Sequence, residues 1–545
     1  MSKNKQNINI LLSAIISSVL FGCGSGGTSA SPNSTNMATN KSDLTSKASS
    51  STEINLCSSF PKWEESRIYD KPDQIVSYYG KLYINHWWTK GENPIEHNGI
   101  FPGSGQAWTV KESCEIQPAV VQAGLRNTFV LTSQGDIYAS GKGTYGVLGN
   151  GSTNDSSTPV KVLMPVQATK VVSNETGNVA CAIGNDSKVY CWGGNGTGLQ
   201  GTGDTTGSVI PRVTNFPAGA KDIVITSDLT SFVLTENGDI YASGKGNYGI
   251  LGNGSTNSVT TPVRVALNSD EKAIKVVKAS LNDEGDDACA LTDKGNVYCW
   301  GGNAHGTAGV GDTKEHDTPV QVKLSDKVTD IVLGGYSDLF MITENGDVYA
   351  SGSDAWGALG DGKNNTETYV PVKVAMPAGI KTTKVVSDGY DSCALGDNHK
   401  VYCWGGNGSG FLGFGSTGQV FTPTLTNFPD HVQDITMGAT QDFKDSKVVV
   451  ALTTSGTLFV SGTANYGALG LGRNYTKAYN PTSITLSDET NVPFTPLNIV
   501  SNGMTSCSIG TSGSVYCWGA NGNGVMGNGG TSTLWTPAKT QFVAF

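Results

Sequence analysis

Cysteine and tryptophan carry most of the chemistry this chain offers. Eight of its eleven cysteines fall into four pairs of one spacing: Cys181/Cys191, Cys289/Cys299, Cys393/Cys403 and Cys507/Cys517. In Cys289-Ala-Leu-Thr-Asp-Lys-Gly-Asn-Val-Tyr-Cys299, a three-residue hairpin loop Asp293-Lys294-Gly295, with Gly295 left-handed, sets Thr292 opposite Asn296 and Cys289 opposite Cys299. Directly opposed residues lie about 4.5–5.5 Å apart, within disulfide reach. Cys57 and Cys114 make a fifth expected pair, bracketing a separate segment. Metal ligation is the alternative use, but the spacing is not CxxC and the six histidines do not cluster beside the cysteines. Five disulfides point to an oxidising, extracytoplasmic compartment. The second concentration is aromatic: residues 57–114 hold Trp63, Tyr69, Tyr78, Tyr79, Tyr83, Trp87, Trp88 and Trp108. Adjacent side chains of a strand face opposite ways, so Trp87 and Trp88 cannot both enter one core if that segment is extended. An exposed indole suits stacking on the apolar face of a pyranose ring, with its N–H meeting a hydroxyl. Trp63, Tyr83 and Trp108 read as core.

Catalytic patterns are missing. There is no HExxH, no Gly-x-Ser-x-Gly elbow, no Walker loop and no Asp-x-x-Asp-x-Asp-x-Glu run. His86, His97, His305, His316, His399 and His431 are scattered and read as solvated. Asp283-Glu284-Gly285-Asp286-Asp287 reads as a solvated acidic loop rather than a calcium site. The Asn-Gly-Ser/Thr triplets at Asn150, Asn195 and Asn253 read as turns. No catalytic residue, metal or cofactor is expected.

The elements that must position these residues follow from length and composition. The chain has 545 residues, 71 of them Gly, with 15% charged residues and a net charge of −10. That length exceeds one ordinary domain, and many short strands joined by tight turns suit the composition. No basic patch supports a nucleic-acid partner. Residues 1–22 read as a signal peptide, with two lysines followed by a short apolar run from Ile8 to Phe21. Its end, Leu20-Phe21-Gly22-Cys23, resembles the lipobox of bacterial lipoproteins, which implies acylation of Cys23 and a lipid-anchored place on the cell surface, by the resemblance in an outer membrane. Residues 23–56, poor in large apolar side chains, read as a flexible tether.

From residue 116 onward a Gly-x-(Val/Ile)-Tyr-x-x-Gly core recurs eight times, with its aromatic at Tyr138, Tyr190, Tyr241, Tyr298, Tyr349, Tyr402, Phe459 and Tyr516, a period of about 54. Each unit reads as four strands; in the third these are 222–226, 232–235, 239–243 and 262–266. Four strands at this period imply propeller blades. The units alternate: Phe129/Ala139, Phe232/Ala242, Phe340/Ala350 and Val450/Val460 stand in odd units where even units carry cysteines. Unit seven has an enlarged loop, Thr440–Lys447, which marks one face as a candidate partner surface.

Cys-Ala-Leu…Gly-x-Val-Tyr-Cys-Trp-Gly-Gly-Asn, with Tyr145-Gly-Val-Leu-Gly, Tyr248-Gly-Ile-Leu-Gly and Trp356-Gly-Ala-Leu-Gly, resembles the RCC1 family, including its secreted bacterial branch. The resemblance implies an all-β propeller over 116–545, of seven or eight blades. Residues 57–115 are similar to the chitin-binding carbohydrate-binding modules of families 5 and 12, through Val76-Ser-Tyr-Tyr-Gly-Lys-Leu-Tyr83, Trp87-Trp88-Thr-Lys-Gly91 and Pro94. That likeness implies chitin contact by Trp87 and Trp88, with Tyr69 or Trp63 assisting. The reading is a surface lipoprotein that captures chitin or another GlcNAc polymer without catalysis. Its rivals are a role in chitin degradation, with glycoside hydrolase-type activity, and a propeller that binds a protein partner or inhibits an enzyme.

Overall fold

The computed structural model describes residues 118–542, apart from 175, 227–229, 268–269, 280–285, 336–337, 365–366, 440–445, 486–495 and 511–512, and strand segments between 68 and 113. The chain divides into two compact units, 1–115 and 116–545. In the first, Ile68–Tyr69 pairs with Thr89–Lys90, and Ile75–Tyr78, Lys81–Asn85, Trp108–Ser113 and Asn98–Gly99 form a four-stranded sheet in that order. Val76 is buried, and the Gln74 amide donates to Asn85 Oδ1 at 2.6 Å.

The second unit is eight four-stranded antiparallel sheets, each a meander in chain order. Blades 1 to 8 span 118–161, 168–213, 220–264, 273–321, 328–373, 382–425, 432–484 and 500–539. The propeller therefore has eight blades, not seven. First strands of successive blades abut around the ring, and that of blade 8 meets that of blade 1. Closure exchanges no strand: Val121, Val130 and Tyr138 pack against Cys507, Cys517, Met526 and Phe542. In blade 3 the strands are Ala220–Ile225, Thr230–Thr235, Ile240–Gly244 and Val259–Arg264. The fourth begins three residues earlier than its apolar alternation suggests, because a register shift between Ala242 and Gly244 lets Val259 pair with Gly244.

The hairpins have the expected register. The Thr292 amide donates to Asn296 O at 2.9 Å, Gly295 takes φ 81°, and Cys289 lies opposite Cys299. Disulfides join Cys181 to Cys191, Cys289 to Cys299, Cys393 to Cys403 and Cys507 to Cys517, with Cα–Cα 4.1 Å in each. Each pair, Cys393 and Cys403 included, is thus directly opposed across its hairpin, near the Cα–Cα spacing of about 4.5 Å of a non-hydrogen-bonded antiparallel pair. On its other side Cys403 pairs with Thr424, before a register shift that sets Gly405 opposite Val420. The same cross-strand site holds Phe129/Ala139, Phe232/Ala242, Phe340/Ala350 and Val450/Val460 in odd blades.

This alternation gives two kinds of seam between blades. From odd to even blade, Phe129, Phe232 and Phe340 meet Trp192, Trp300 and Trp404 edge-on, with centroids 6.1, 5.9 and 6.0 Å apart. Small residues such as Ala180 and Ala182 make room for the rings. From even to odd, the disulfide and aliphatic side chains fill the space, as around Cys181, Cys191, Leu199 and Ile223, and again around Cys393, Cys403, Leu412 and Ile435. One position on the third strand secures every seam. In even blades it is tryptophan: the indoles of Trp192, Trp300, Trp404 and Trp518 donate to Val147 O, Ile250 O, Ala358 O and Ala468 O of the preceding blade. In odd blades it is serine: Ser140, Ser243, Ser351 and Ser461 donate to Val525 O, Gly198 O, Thr307 O and Phe411 O. A buried carbonyl left without such a donor costs about 1–3 kcal/mol, so each seam demands one.

The first strands carry a second alternation. Lys170, Lys275 and Lys384 of even blades pair with Asp222, Asp330 and Asp434 of the following odd blade. At the closing seam the corresponding places hold Asn498 and Val120, so the ring of ion pairs is interrupted there.

Candidate functional site

In a four-stranded meander the first and third connections leave the same end of the sheet, so each blade contributes two loops to one face. The third connections of odd blades place an aromatic residue there: Tyr145, Tyr248, Trp356 and Tyr466 are 59%, 37%, 54% and 40% exposed. Tyr145, Tyr248 and Trp356 have φ of 62°, 59° and 64°. That backbone region is unfavourable by roughly 1–2 kcal/mol for a side chain larger than glycine. Close packing forces it. Each aromatic precedes a glycine pressed on the next blade; a Cβ on Gly146 would stand 2.5 Å from Val209 Cα. The ring itself leans on glycine, since a Cβ on Gly194 would lie 3.7 Å from Tyr145 Cγ and one on Gly406 3.3 Å from Trp356 Cβ.

Even blades use the equivalent loop differently. Asn195, Asn303, Asn407 and Asn521 are buried; their Oδ1 atoms accept from the amides of Gln200, Ala308, Leu412 and Met526. Their Nδ2 groups donate to Asp204 O, Asp312 O, Ser416 O and Gly530 O. These asparagines staple the loop and leave Thr197, His305, Ser409 and Asn523 at the places matching the exposed aromatics.

Beside Trp356 the face holds a buried charge cluster spanning blades 5 to 7. Lys447 Nζ lies 2.8 Å from Asp388 Oδ2 and 2.9 Å from Asp391 Oδ2. It also sits 5.2 Å from the Tyr390 ring centroid and 5.1 Å from that of Phe411. Asp391 Oδ1 accepts from the Asn407 amide at 2.7 Å. Asp338 is fully buried; its Oδ2 accepts from Ser387 Oγ at 2.5 Å, while Oδ1 has no hydrogen-bond partner. Burial pushes the Asp338 carboxyl up to about 7, against the pull of Ser387. Burial and the Asp388 carboxylate push Asp391 up to about 6, with Lys447 opposing. For Lys447 burial disfavours the ammonium, but the two carboxylates outweigh it and hold its pKa above that of an ordinary lysine.

This cluster was not foreseen. Lys447 reads in the sequence as the end of a loop, yet it opens a strand, Lys447–Thr453, with its charge enclosed. The acidic run of blade 4 also departs from expectation: Asp286 and Asp287 are buried, not solvated. Asp287 accepts from the Asn303 amide at 2.8 Å and Thr307 Oγ1 at 3.0 Å, fixing the neighbouring loop. Nor are all the histidines merely solvated. His305 contacts Glu367 at 2.9 Å, His316 contacts Asp312 at 3.1 Å, and His399 Nδ1 contacts Val432 O at 3.2 Å. Asn150 and Asn253 lie in turns, their Oδ1 atoms accepting from Ser152 and Ser255 amides. The bridged cysteines, Cys393 and Cys403 among them, are buried between blades and belong to the seams rather than to this face. Tyr69 lies in a strand paired with Thr89–Lys90. Cys23, Cys57, Trp63, Trp87, Trp88 and Cys114 lie outside the described residues. Among the described residues no three His, Cys, Asp or Glu side chains are grouped to hold a metal ion, and no helix is long and apolar enough to cross a membrane.

The regulator of chromosome condensation (RCC1) repeat matches residues 134–182, 237–281, 294–340 and 398–441. The chain is 28% identical over 302 residues to the ultraviolet-B receptor UVR8 of Arabidopsis thaliana, covering 54% of this chain and 67% of that protein. It is 28% identical over 365 residues to the human E3 ubiquitin-protein ligase HERC2, covering 65% of this chain but 7% of that protein. The solved structure of human WBSCR16 superposes with TM-score 0.51 at 21% identity, covering 65% of this chain and 93% of the other. Eight four-stranded sheets make residues 116–545 an eight-bladed, all-β propeller, and it carries RCC1 repeats in the matched segments.

Proposed function

We propose that this chain is a non-catalytic binding protein whose propeller engages a protein partner through the face built by the first and third connections of its blades. The observation that carries the reading is the recurrence of one exposed aromatic, at Tyr145, Tyr248, Trp356 and Tyr466, on alternate blades of that face. Relatives that share the repeats include proteins named as a receptor and as a ubiquitin ligase, so the repeats by themselves specify no reaction. Matches to binding and regulatory proteins support a partner-binding role, and nothing favours glycoside hydrolysis. Photo-crosslinking tests the reading. A crosslinker at Asn247 or Asn465, both exposed on the loop face, should trap one partner that a crosslinker at Glu236 or Lys294, exposed in the hairpin turns of the opposite face, does not. Equal trapping from both faces would sink it.

A second reading rests on the aromatic segment 57–115, whose resemblance to chitin-binding modules favours capture of chitin or another GlcNAc polymer by Trp87 and Trp88, with Tyr69 or Trp63 assisting. Lipid attachment at Cys23 would hold the protein at a bacterial cell surface and concentrate weak sites by avidity. Retention of the chain on chitin beads, lost in a folded Trp87→Ala/Trp88→Ala variant, would support it. Wild-type protein that passes through the beads would dismiss it.

A further inference from the structure

The enclosed lysine of blade 7 has the surroundings of a reacting group as well as those of an ion pair. Lys447 Nζ lies 2.8 Å from Asp388 Oδ2 and 2.9 Å from Asp391 Oδ2, and the three side chains are only 18%, 5% and 3% exposed. Each carboxylate is fixed by its other oxygen. Asp388 Oδ1 accepts from the Tyr390 and Asp391 amides, both at 3.0 Å, and Asp391 Oδ1 from the Asn407 amide at 2.7 Å. Both therefore present Oδ2 to the same nitrogen. The Tyr390 and Phe411 rings flank that nitrogen, with centroids 5.2 and 5.1 Å away.

In solution an amine and a carboxylic acid do not condense, because both are charged and water is in excess. Here both obstacles are weakened. Burial makes the separate charges costly, so a neutral product is favoured. Fixed neighbours also replace a bimolecular encounter, which is worth an effective concentration of about 10⁵ M or more. With Oδ2 of Asp391 at 2.9 Å from Nζ, its carboxyl carbon is at most one C–O bond farther. A small side-chain rotation then reaches the about 3–3.5 Å of a near-attack geometry. Burial and the Asp388 carboxylate push the Asp391 carboxyl up to about 6, which favours the neutral acid that an amine can attack.

We infer that Lys447 and Asp391 join in an intramolecular amide, a covalent bond across the seam between blades 6 and 7. Asp388 takes one proton from the Lys447 ammonium. The freed amine attacks Cγ of the protonated Asp391 carboxyl, whose Oδ1 is polarised by the Asn407 N–H, and the Nζ–Cγ bond forms. A second Nζ proton joins the Oδ2 hydroxyl, the Cγ–Oδ2 bond breaks and one water leaves. An amide and a protonated Asp388 then stand where an ammonium and a carboxylate stood, and nothing is oxidised or reduced. Each disulfide ties residues ten apart within one blade. Asp391 and Lys447 are 56 apart and belong to neighbouring blades, so this bond clamps the ring itself and survives reducing agents.

Peptide mass mapping of the reduced full chain after trypsin digestion tests the inference. Trypsin cuts at Lys384, Lys400, Lys444 and Arg473 but not at an acylated Lys447, so 385–400 and 445–473 should appear as one branched peptide. It should be lighter than the sum of its two parts by one water, about 18 Da, with fragment ions placing the bond on Asp391. Asp388→Asn keeps the oxygen that the two amides need but accepts no proton. In a fresh preparation of that variant the share of branched peptide should fall at least about tenfold. Asp391→Ala should abolish it. Wild-type chain cut at Lys447, with every peptide at its full mass, would overturn the inference, and that result needs no variant to fold. A bond located on Asp388, or an undiminished yield from folded Asp388→Asn, would overturn the roles assigned to the two carboxylates.

Discussion

The two kinds of blade seam solve one packing problem with different chemistry. Odd-to-even seams are filled by an edge-on Phe–Trp pair with an indole N–H bond across the gap. Even-to-odd seams are filled by a buried disulfide with a serine hydroxyl across the gap. The large ring in one blade needs small Ala residues opposite, while the compact disulfide leaves room for Leu, Ile and Val. Neither solution works on both sides of a blade, so the structural unit of this ring is a pair of blades rather than one. The 7–8 seam is intermediate, because Val450 stands where the other aromatic seams have Phe and leaves Trp518 without a ring partner at that site.

The difference is open to attack, beginning where a seam carries charge. Lys447 crosses the 6–7 seam to two buried carboxylates. Lys447→Met should destabilise the propeller by about 3–5 kcal/mol, read by urea denaturation, because it strands two buried anions. A change below about 1 kcal/mol would mean that the cluster is wetter than its burial implies.

The same region should make stability depend on pH. Asp338 keeps its proton in the fold up to about pH 7 but loses it near 4 when unfolded. The favourable contribution is therefore complete below about pH 4 and gone above about 7, and Asp391, pushed up to about 6, acts in the same direction. Stability should fall by on the order of 3 kcal/mol between pH 5 and 8. Asp338→Asn should flatten most of that slope in melts taken across the range, leaving the part due to Asp391. An unchanged slope would place the titration elsewhere.

Disulfide removal separates the seam classes directly. Cys181→Ala/Cys191→Ala should cost about 3 kcal/mol. Hydrogen exchange should rise in blades 2 and 3 and stay slow in blades 5 and 6 around Trp404, where the bridge between Cys393 and Cys403 and the ring pair remain intact. Uniform loss across the ring would show that the blades unfold as one cooperative unit.

The smallest effect compares the two donors. Trp192→Phe removes the donor to Val147 O, and Ser140→Ala the donor to Val525 O. Each should cost about 1–2 kcal/mol for the orphaned carbonyl, with Trp192→Phe the larger because ring volume is lost as well. Serine loss exceeding tryptophan loss would make the closing seam, where the ion-pair alternation is broken, the weak point of the ring.

Much of this was legible in the residues. Hairpin registers, the four disulfides of the even blades and their Phe–Ala or Val–Val substitutes in the odd blades involve partners ten residues apart, and a short turn dictates which side chains face each other. The repeat period marks the blades for the same reason, since each sheet is a local meander. The aromatics of the loop face were visible as part of the Tyr-Gly-x-Leu-Gly motif, but not their exposure, because the same pattern suits a buried ring. Contacts of 45 to 56 residues in separation had no such signal. Trp192 to Val147 O and Lys447 to Asp391 depend on where the next blade is brought by the curvature of the ring. Serine and tryptophan meet the same carbonyl requirement, so residue type alone does not reveal the shared role. Sequence alone thus determined what each blade is, through neighbours a turn apart. Tertiary structure decided how many blades close the circle, which side chains meet between them and which rings stay on the surface, because side-chain packing across a seam has no meaning until both blades are in place.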